Sequence, residues 1–193
     1  PMGARLAHSP WTTSIPLLST RQMVRESKSK ILPPFRAQSL YTLGYQLRDL
    51  DDFLEALEAA DIDVVVDVRQ TAFSRKPGFS KGRLARALKD LDIEDIHADF
   101  AGNPKEIRRA ADSHSEVLAN FSAYLGKNPS VVADLARTVR GAGNRRRICF
   151  ICYERHPDDC HRRILVEHWQ EHVGVDFQVT HLEPDGAPRL ARA

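Results

Sequence analysis

Residues 62–68, Ile-Asp-Val-Val-Val-Asp-Val, form a short β-branched run that is typical of a strand buried on both faces of a sheet. Such runs alternate along the chain with segments in which apolar residues recur at helical spacing. Leu50, Phe53 and Leu57, for example, fall on one face of a helix. Strands that alternate with helices favour a parallel sheet, because parallel neighbours need crossover connections. The sequence therefore predicts a three-layer α/β fold, a mainly parallel sheet with helices on both faces.

The predicted elements follow this alternation through most of the chain. Helices are expected to begin near residues 50, 80, 113, 129 and 160, and strands are expected at residues 39–45, 62–68, 93–99, 147–153 and 177–182. Ser80 and Ser113 are the predicted helix caps, and Ser113-x-x-Glu116 matches a capping box. At 193 residues the chain is long enough to bury one good core.

Residues 1–38 differ from the rest because they show no sustained period and contain six basic residues against one acidic residue. We expect a flexible basic N-terminal arm at residues 1–38, followed by a single α/β domain at residues 39–193. No apolar run approaches the roughly 20 residues that cross a bilayer, and three cysteines, an odd number, argue against a disulfide framework. The chain is therefore expected to be cytoplasmic, with no membrane partner and no obligate protein partner.

Unusual residues collect where the predicted strands end. In open parallel sheets, ligands bind beyond the carboxyl ends of the strands. Four of these ends carry polar, aromatic or glycine residues, namely Gly44-Tyr45-Gln46, Asp67-Val68-Arg69, Ala101-Gly102-Asn103-Pro104-Lys105 and Cys152-Tyr153-Glu154. The sequence therefore predicts one binding crevice, in which Tyr45, Asn103 and Lys105 contact the ligand.

Asp67 and Glu154 are the candidate catalytic residues of this crevice. A carboxylate in a buried strand needs a partner such as Arg69, so Asp67 is a general base, an electrostatic stabiliser, or a structural residue that holds a loop by hydrogen bonds. Arg69 would then contact an anion. Ser74 and Arg75 follow in a loop and are candidate phosphate contacts.

Residues 152–163, Cys-Tyr-Glu-Arg-His-Pro-Asp-Asp-Cys-His-Arg-Arg, admit three interpretations. A zinc site would need Cys149 and Cys152 to converge, but residues three apart in a strand point to opposite faces, so neither a metal nor another cofactor is expected. Cys160, at a helix start, is a candidate nucleophile or a buried structural thiol. The preferred interpretation is an anion site, in which His161 and Arg162 lie beside the free N–H groups of that helix.

Taken together, these motifs resemble the domain of unknown function 488 family. The matching pieces are Thr42-Leu-Gly-Tyr45, Val66-Asp-Val-Arg69 with Ser74-Arg75, Gly102-Asn-Pro-Lys105, and Cys152-x-Glu154-x2-Pro157-x2-Cys160-His-Arg162. Many family members have His-Ser where this chain has Tyr45-Gln46, and a proline is usual before Ser74. The resemblance implies an α/β domain with an enzymatic or binding role, and it links some relatives to nucleic-acid repair, including the removal of damaged bases.

The leading hypothesis is a DNA base N-glycosylase that acts in base excision repair. Such an enzyme needs a basic surface for phosphates, a pocket for the extruded base and a carboxylate near the glycosidic bond. The N-terminal arm and a second basic run at residues 137–147 would supply the surface, and Tyr45, Phe73 and Phe79 could stack on a base. One alternative is a hydrolase or transferase acting on a small phosphorylated or nucleotide substrate. The other is a non-catalytic nucleic-acid-binding module.

Overall fold

A computed structural model describes residues 40–143, 146–173, 178–182 and 188–190. The predicted N-terminal arm at residues 1–38 lies outside the described residues, so the prediction of a flexible arm stays a prediction. Within the described ranges, no helix is long and apolar enough to cross a membrane.

One sheet organises the described residues. Its strands are β1 (Leu40–Gly44), β2 (Val64–Asp67), β3 (Glu94–His97), β4 (Ile148–Cys152), β5 (Val179–Leu182) and β6 (Pro188–Leu190), in the spatial order β3-β2-β4-β1-β5-β6. The strands β1 to β5 are parallel to one another, and β6 pairs with β5 in the antiparallel sense. The predicted parallel sheet is thus confirmed, with β4 and β1 at its centre.

Within the described residues the chain forms six α-helices. They are α1 (Leu50–Ala59), α2 (Lys81–Asp90), α3 (Lys105–Arg109), α4 (His114–Lys127), α5 (Pro129–Gly141) and α6 (His161–Val173). Side chains of α1 and α2 contribute to one apolar core, and side chains of α4, α5 and α6 contribute to the other. The three-layer α/β prediction is therefore confirmed. The short helix α3 was not predicted from the sequence.

The central strand β4 shows why the sequence folds this way. All of its residues are buried, and their side chains alternate between the two cores. Phe150 and Cys152 belong to the core beneath α4, α5 and α6, where Phe150 packs against Trp169 at a centroid distance of 5.8 Å. Cys149 and Ile151 belong to the core beneath α1 and α2. Because both faces of β4 are buried, every residue of the strand is apolar although its side chains alternate between two cores.

The helix starts also follow local side-chain chemistry, with one correction. Ser113 caps α4 as predicted, since its hydroxyl accepts a hydrogen bond from the Glu116 N–H at 3.2 Å. Ser80 occupies the N-cap position of α2 but makes no side-chain cap bond. Its hydroxyl instead donates to the Ser74 carbonyl at 2.9 Å and accepts from the Ser74 N–H at 3.2 Å. Ser80 thus stabilises the loop that follows β2, and this loop forms part of the site.

Candidate active site

A crevice of about 890 Å³ opens at the carboxyl ends of β1, β2 and β4. Of the predicted site residues, those that line it are Tyr45, Arg69, Ser74, Arg75, Asn103, Glu154 and His161. Residues that follow four of the strands, β1 to β4, therefore share one cavity, where ligands of open α/β sheets bind. Asp67, Lys105 and Arg162 were also predicted to contact the ligand, but they do not line the cavity.

Asp67 lies behind the crevice as the partner of Arg69. Its Oδ1 accepts hydrogen bonds from the Arg69 Nε at 2.8 Å and from the Arg69 N–H at 3.1 Å, and its Oδ2 accepts from Nη2 at 2.5 Å. Asp67 is only 2% exposed, so these bonds occupy both carboxylate oxygens away from the crevice. Of the three roles predicted for Asp67, these contacts favour the structural one, in which Asp67 positions Arg69.

Arg69 presents one edge of its guanidinium group to the cavity wall. Its Nη1 donates to the Tyr45 hydroxyl at 2.9 Å and to the Phe79 carbonyl at 2.8 Å. Burial acts to lower the pKa of Arg69, but the hydrogen bond and the charge of Asp67 outweigh it and raise that pKa above its ordinary value. Arg69 is therefore a permanently charged group held in one orientation at the crevice.

The three aromatic residues proposed for base stacking have different environments. Phe79 is fully buried, and Tyr45, at 3% exposure, stacks on it with ring centroids 4.3 Å apart. Phe73 is 72% exposed and lines the crevice. Of the three, Phe73 is the one with a free face for stacking, while Tyr45 forms a rigid wall.

Arg162 is not available to an anion, which corrects its predicted role. It is 1% exposed, and it donates to the carbonyls of Glu154 at 2.6 Å and Arg155 at 3.0 Å and to the Thr42 hydroxyl at 3.3 Å. The backbone that Arg162 holds also passes very close to Gly44, where a Cβ atom would lie 1.8 Å from the Glu154 carbonyl oxygen. Arg162 and Gly44 together fix the position of Glu154.

Three side chains converge beside Glu154. The Cys160 Sγ lies 2.9 Å and the Cys152 Sγ 3.2 Å from the Glu154 Oε2, and the His161 Nδ1 lies 3.5 Å from the Cys152 Sγ. Cys149 packs on the opposite face of the sheet, as predicted. Metal-ligating groups nevertheless converge on the other face, because the start of α6 supplies Cys160 and His161 to the end of β4.

With this geometry established, comparison with known proteins identifies the family. The sequence model of a family described as "Domain of unknown function DUF488" matches residues 49–169, more than half of the chain. The chain belongs to this family. A search of curated proteins gives no match. The matched range runs from the residue before α1 into α6, so it includes Arg69, Asn103 and the whole Cys152–His161 segment.

Burial and charge set the protonation of the convergent groups in this DUF488 domain. Burial, followed by the charge of Cys160, raises the pKa of Glu154. Burial also opposes ionisation of Cys160, but the hydrogen bond from Cys152 and the charge of Arg162 lower the pKa of Cys160 well below its ordinary value. The hydrogen bond to Cys160 raises the pKa of His161 against the effect of burial. The pKa of the Cys160 thiol thus falls and the pKa of the His161 imidazole rises, in part because the two groups lie side by side.

Asn103 is a buried polar group of the DUF488 domain that faces the crevice. Its side chain is 5% exposed, and its Oδ1 finds no hydrogen-bond partner within the described ranges. Buried polar atoms are normally paired, because an unpaired one loses its hydration without compensation. Asn103 therefore offers an acceptor to a donor group of a ligand.

Several residues of the crevice were not predicted. Leu47, Arg108, His114 and Tyr153 line it, and Lys76 donates to the Tyr45 carbonyl at 3.0 Å. Leu47 has a φ of 65°, in the left-handed region that a leucine rarely adopts. No sequence pattern marked Leu47, Arg108 or His114. Tyr153 lies in a strand end that the sequence did single out, but no role was given to it, and a search for apolar residues after strand ends would also have found Leu47.

The second basic run does not extend this site. Arg137 pairs with Asp134 on α5, and Arg146 pairs with Glu94 at the start of β3. Arg147 donates to the Ala60 carbonyl at 2.7 Å, just before β4 begins. These arginines thus bind other parts of the domain, and Arg146 and Arg147 do so at the amino ends of the strands, opposite the crevice. The described part of the predicted run therefore does not supply the crevice with cations.

Proposed function

We propose that this domain is a nucleic-acid hydrolase, and specifically a DNA base N-glycosylase of base excision repair. The observation that carries the proposal is the combination of a carboxylate, Glu154, at the wall of a cationic crevice with large apolar side chains exposed around it. A glycosylase needs these three features, because it must bind phosphates, extract a base from the stack and stabilise a positively charged sugar.

The charge of the crevice fits an anionic substrate. Arg69, Arg75, Lys76 and Arg108 line it, against the acidic side chains of Glu154 and Asp159. Arg75 and Arg108 are exposed and can reach phosphate groups outside the cavity, whereas Arg69 is held inside. The cavity volume of about 890 Å³ lies within the range of ordinary ligand pockets, so a nucleotide unit can be enclosed.

Exposed apolar side chains support base extraction. Leu47, Phe73 and Tyr153, with exposures of 76%, 72% and 46%, all line the crevice. Proteins that unstack duplex DNA insert apolar wedges between base steps. Leu47 suits this role, because its strained backbone directs an unburied leucine towards the substrate side, and strain of this kind often accompanies function. Phe73 and Tyr153 would stack on the displaced bases.

The proposed reaction uses Glu154 as a general base. Water attacks C1′ of the sugar and passes a proton to Glu154, while the C1′–N bond breaks and its electron pair leaves with the base. The raised pKa of Glu154 brings this group nearer to neutral pH, where a general base works best. The Asn103 Oδ1 would accept a hydrogen bond from the base. We place the protein in the cytoplasm, since its cysteines are free thiols.

Single-turnover excision from oligonucleotides that carry modified bases tests the proposal. Glu154→Gln is expected to lower the rate by about 100-fold or more, the usual contribution of a general base, while DNA affinity stays equal or rises because a negative charge is lost. Glu55→Gln, an exposed substitution of the same type on α1, should leave the rate unchanged.

The same experiment separates the two alternatives. Salt-dependent DNA binding by the parent protein, with no excision from any oligonucleotide, would support the non-catalytic binding module instead. Turnover of free nucleotides without DNA affinity would support the small-molecule enzyme. Excision by Glu154→Gln at the parental rate would remove Glu154 from the mechanism.

A further inference from the structure

We propose that Cys152, Glu154, Cys160 and His161 bind a single zinc ion. One sulfur, oxygen or nitrogen atom from each of the four residues lies within 4.8 Å of the other three. This inference goes beyond the proposed function and holds or fails without it, because it rests on the convergence of the donor atoms and not on any substrate.

The distances between the donor atoms are close to those of a tetrahedral site. Zinc bonds of about 2.3 Å to sulfur and about 2.0 Å to nitrogen or oxygen place two ligands of a tetrahedron about 3.3–3.8 Å apart. The Glu154 Oε2 lies 3.2 Å from the Cys152 Sγ and 2.9 Å from the Cys160 Sγ. The His161 Nδ1 lies 3.5 Å from the Cys152 Sγ and 4.0 Å from the Cys160 Sγ. Movements of a few tenths of an ångström would therefore seat the ion.

The orientation of His161 is an independent observation that favours a metal. Its Nε2 lies 3.0 Å from the Val68 carbonyl oxygen, so Nε2 carries the proton and donates it to that acceptor. Nδ1 is thereby directed at the two thiols. Metal-ligating histidines characteristically donate their other ring N–H in this way, which fixes the ring. The imidazole is also held by the edge-on packing of Phe121 at a centroid distance of 5.3 Å.

The donor set and its surroundings select the class of ion. Two thiolates and an imidazole suit zinc, whereas Mg²⁺ and Ca²⁺ prefer sets made of oxygen atoms. Two thiolates, one carboxylate and Zn²⁺ carry a net charge of −1. The buried guanidinium group of Arg162, which donates to the Glu154 carbonyl, lies beside the cluster to balance that charge.

The position of the ion relative to the crevice follows from exposure. Cys160 is fully buried and does not line the cavity, whereas Cys152, Glu154 and His161 do. Glu154 is less buried than the other three ligands. Cys152, Cys160 and His161 are therefore the permanent ligands, and Glu154 is the ligand that water or substrate can replace.

Metal content of the purified full chain tests the inference. Protein expressed with added zinc and dialysed against a mild chelator is expected to retain about one zinc per chain. Cys160→Ser should lose it. Cys149→Ser is the matched control, because Cys149 is equally buried but belongs to the core on the other face of the sheet, and it should retain the ion. Glu154→Gln should also retain it through the three permanent ligands.

A second measurement keeps the test decisive if Cys160→Ser fails to fold. Co²⁺ added to the metal-free parent protein should produce the thiolate-to-cobalt and tetrahedral d–d absorption bands. The parent protein without zinc and without these bands, or a folded Cys160→Ser that retains zinc as the parent does, would overturn the inference. Because no substrate is used, either result is independent of whether excision is found.

Discussion

Asp67→Asn tests whether Asp67 positions Arg69 while Glu154 is the catalytic carboxylate. Asp67 makes hydrogen bonds to the Nε, Nη2 and backbone N–H of Arg69, and both side chains are about 95% buried or more. An asparagine in the same position keeps an oxygen for Nε, but it places an NH₂ group against Nη2, where two donors face each other. The substitution therefore leaves a buried guanidinium group without its counter-charge.

The expected loss of stability follows from that uncompensated charge. Removing one partner of a buried ion pair costs about 3–5 kcal/mol, and the oxygen that asparagine retains places this case at about 3 kcal/mol. For a domain of this size, about 3 kcal/mol lowers the melting temperature by about 6–12 °C. Arg69→Met added to Asp67→Asn should recover part of the loss, because an apolar pair needs no counter-charge.

Thermal unfolding and excision on the same sample check this prediction. Asp67→Asn should lose stability and activity together, since Arg69 is no longer held against Tyr45. Asp90→Asn, an exposed substitution of the same type on α2, should change neither quantity. A folded Asp67→Asn with the parental melting temperature and no turnover would refute the reasoning and return Asp67 to a direct catalytic role.

Three further substitutions test the backbone and the charges of the site. Leu47→Gly should raise the melting temperature, because φ 65° is strained for leucine by about 1 kcal/mol. The same substitution should weaken excision from duplex DNA more than from single-stranded DNA. Asp92→Gly, at φ 56° outside the crevice, should raise the melting temperature without changing excision. Gly44→Ala should lower stability by about 1–3 kcal/mol or more in a denaturant titration, because its Cβ would meet the Glu154 carbonyl, whereas Gly82→Ala, with open space around it, should not. Burial raises the pKa of Asp95, so the ionised carboxylate destabilises the fold at a pH above that pKa. Asp95→Asn should therefore raise the melting temperature at pH 7 by more than it does at pH 3.5.

The fold could be predicted because the apolar patterns of the strands and the polar residues at the helix starts indicate the same alternation of strands and helices. The run in β2 and the apolar alternation of β4 are each continuous, and the helices between them begin at recognisable polar residues. Because these strands pair in parallel, the carboxyl ends of β1, β2 and β4 lie at one edge of the sheet. Tyr45, Arg69 and Glu154 reach the same crevice for this reason.

The partners within the site could not be predicted in the same way. Arg162 follows Cys160 and His161 in the sequence and resembles an anion-binding residue. In the structure its guanidinium group contacts two backbone carbonyls instead. These contacts depend on how the backbone of residues 153–160 passes Gly44. The convergence of Cys152 with Cys160 likewise depends on the 3₁₀ turn at Pro157–Asp159, which returns the chain to the end of β4. Spacing alone does not encode these tertiary contacts.

Asp67 and Glu154 were equivalent candidates in the sequence, and their surroundings now separate them. Asp67 has a dedicated cation that uses both of its oxygens, so its charge is satisfied before any ligand arrives. The described partners of the Glu154 carboxylate are two thiol groups, and the residue faces the crevice. A carboxylate of this second kind gains stabilisation from a cation that arrives later, whether that cation is a zinc ion or a sugar that acquires positive charge. We therefore propose that Glu154 is the carboxylate that acts on the ligand and that Asp67 holds Arg69 in place.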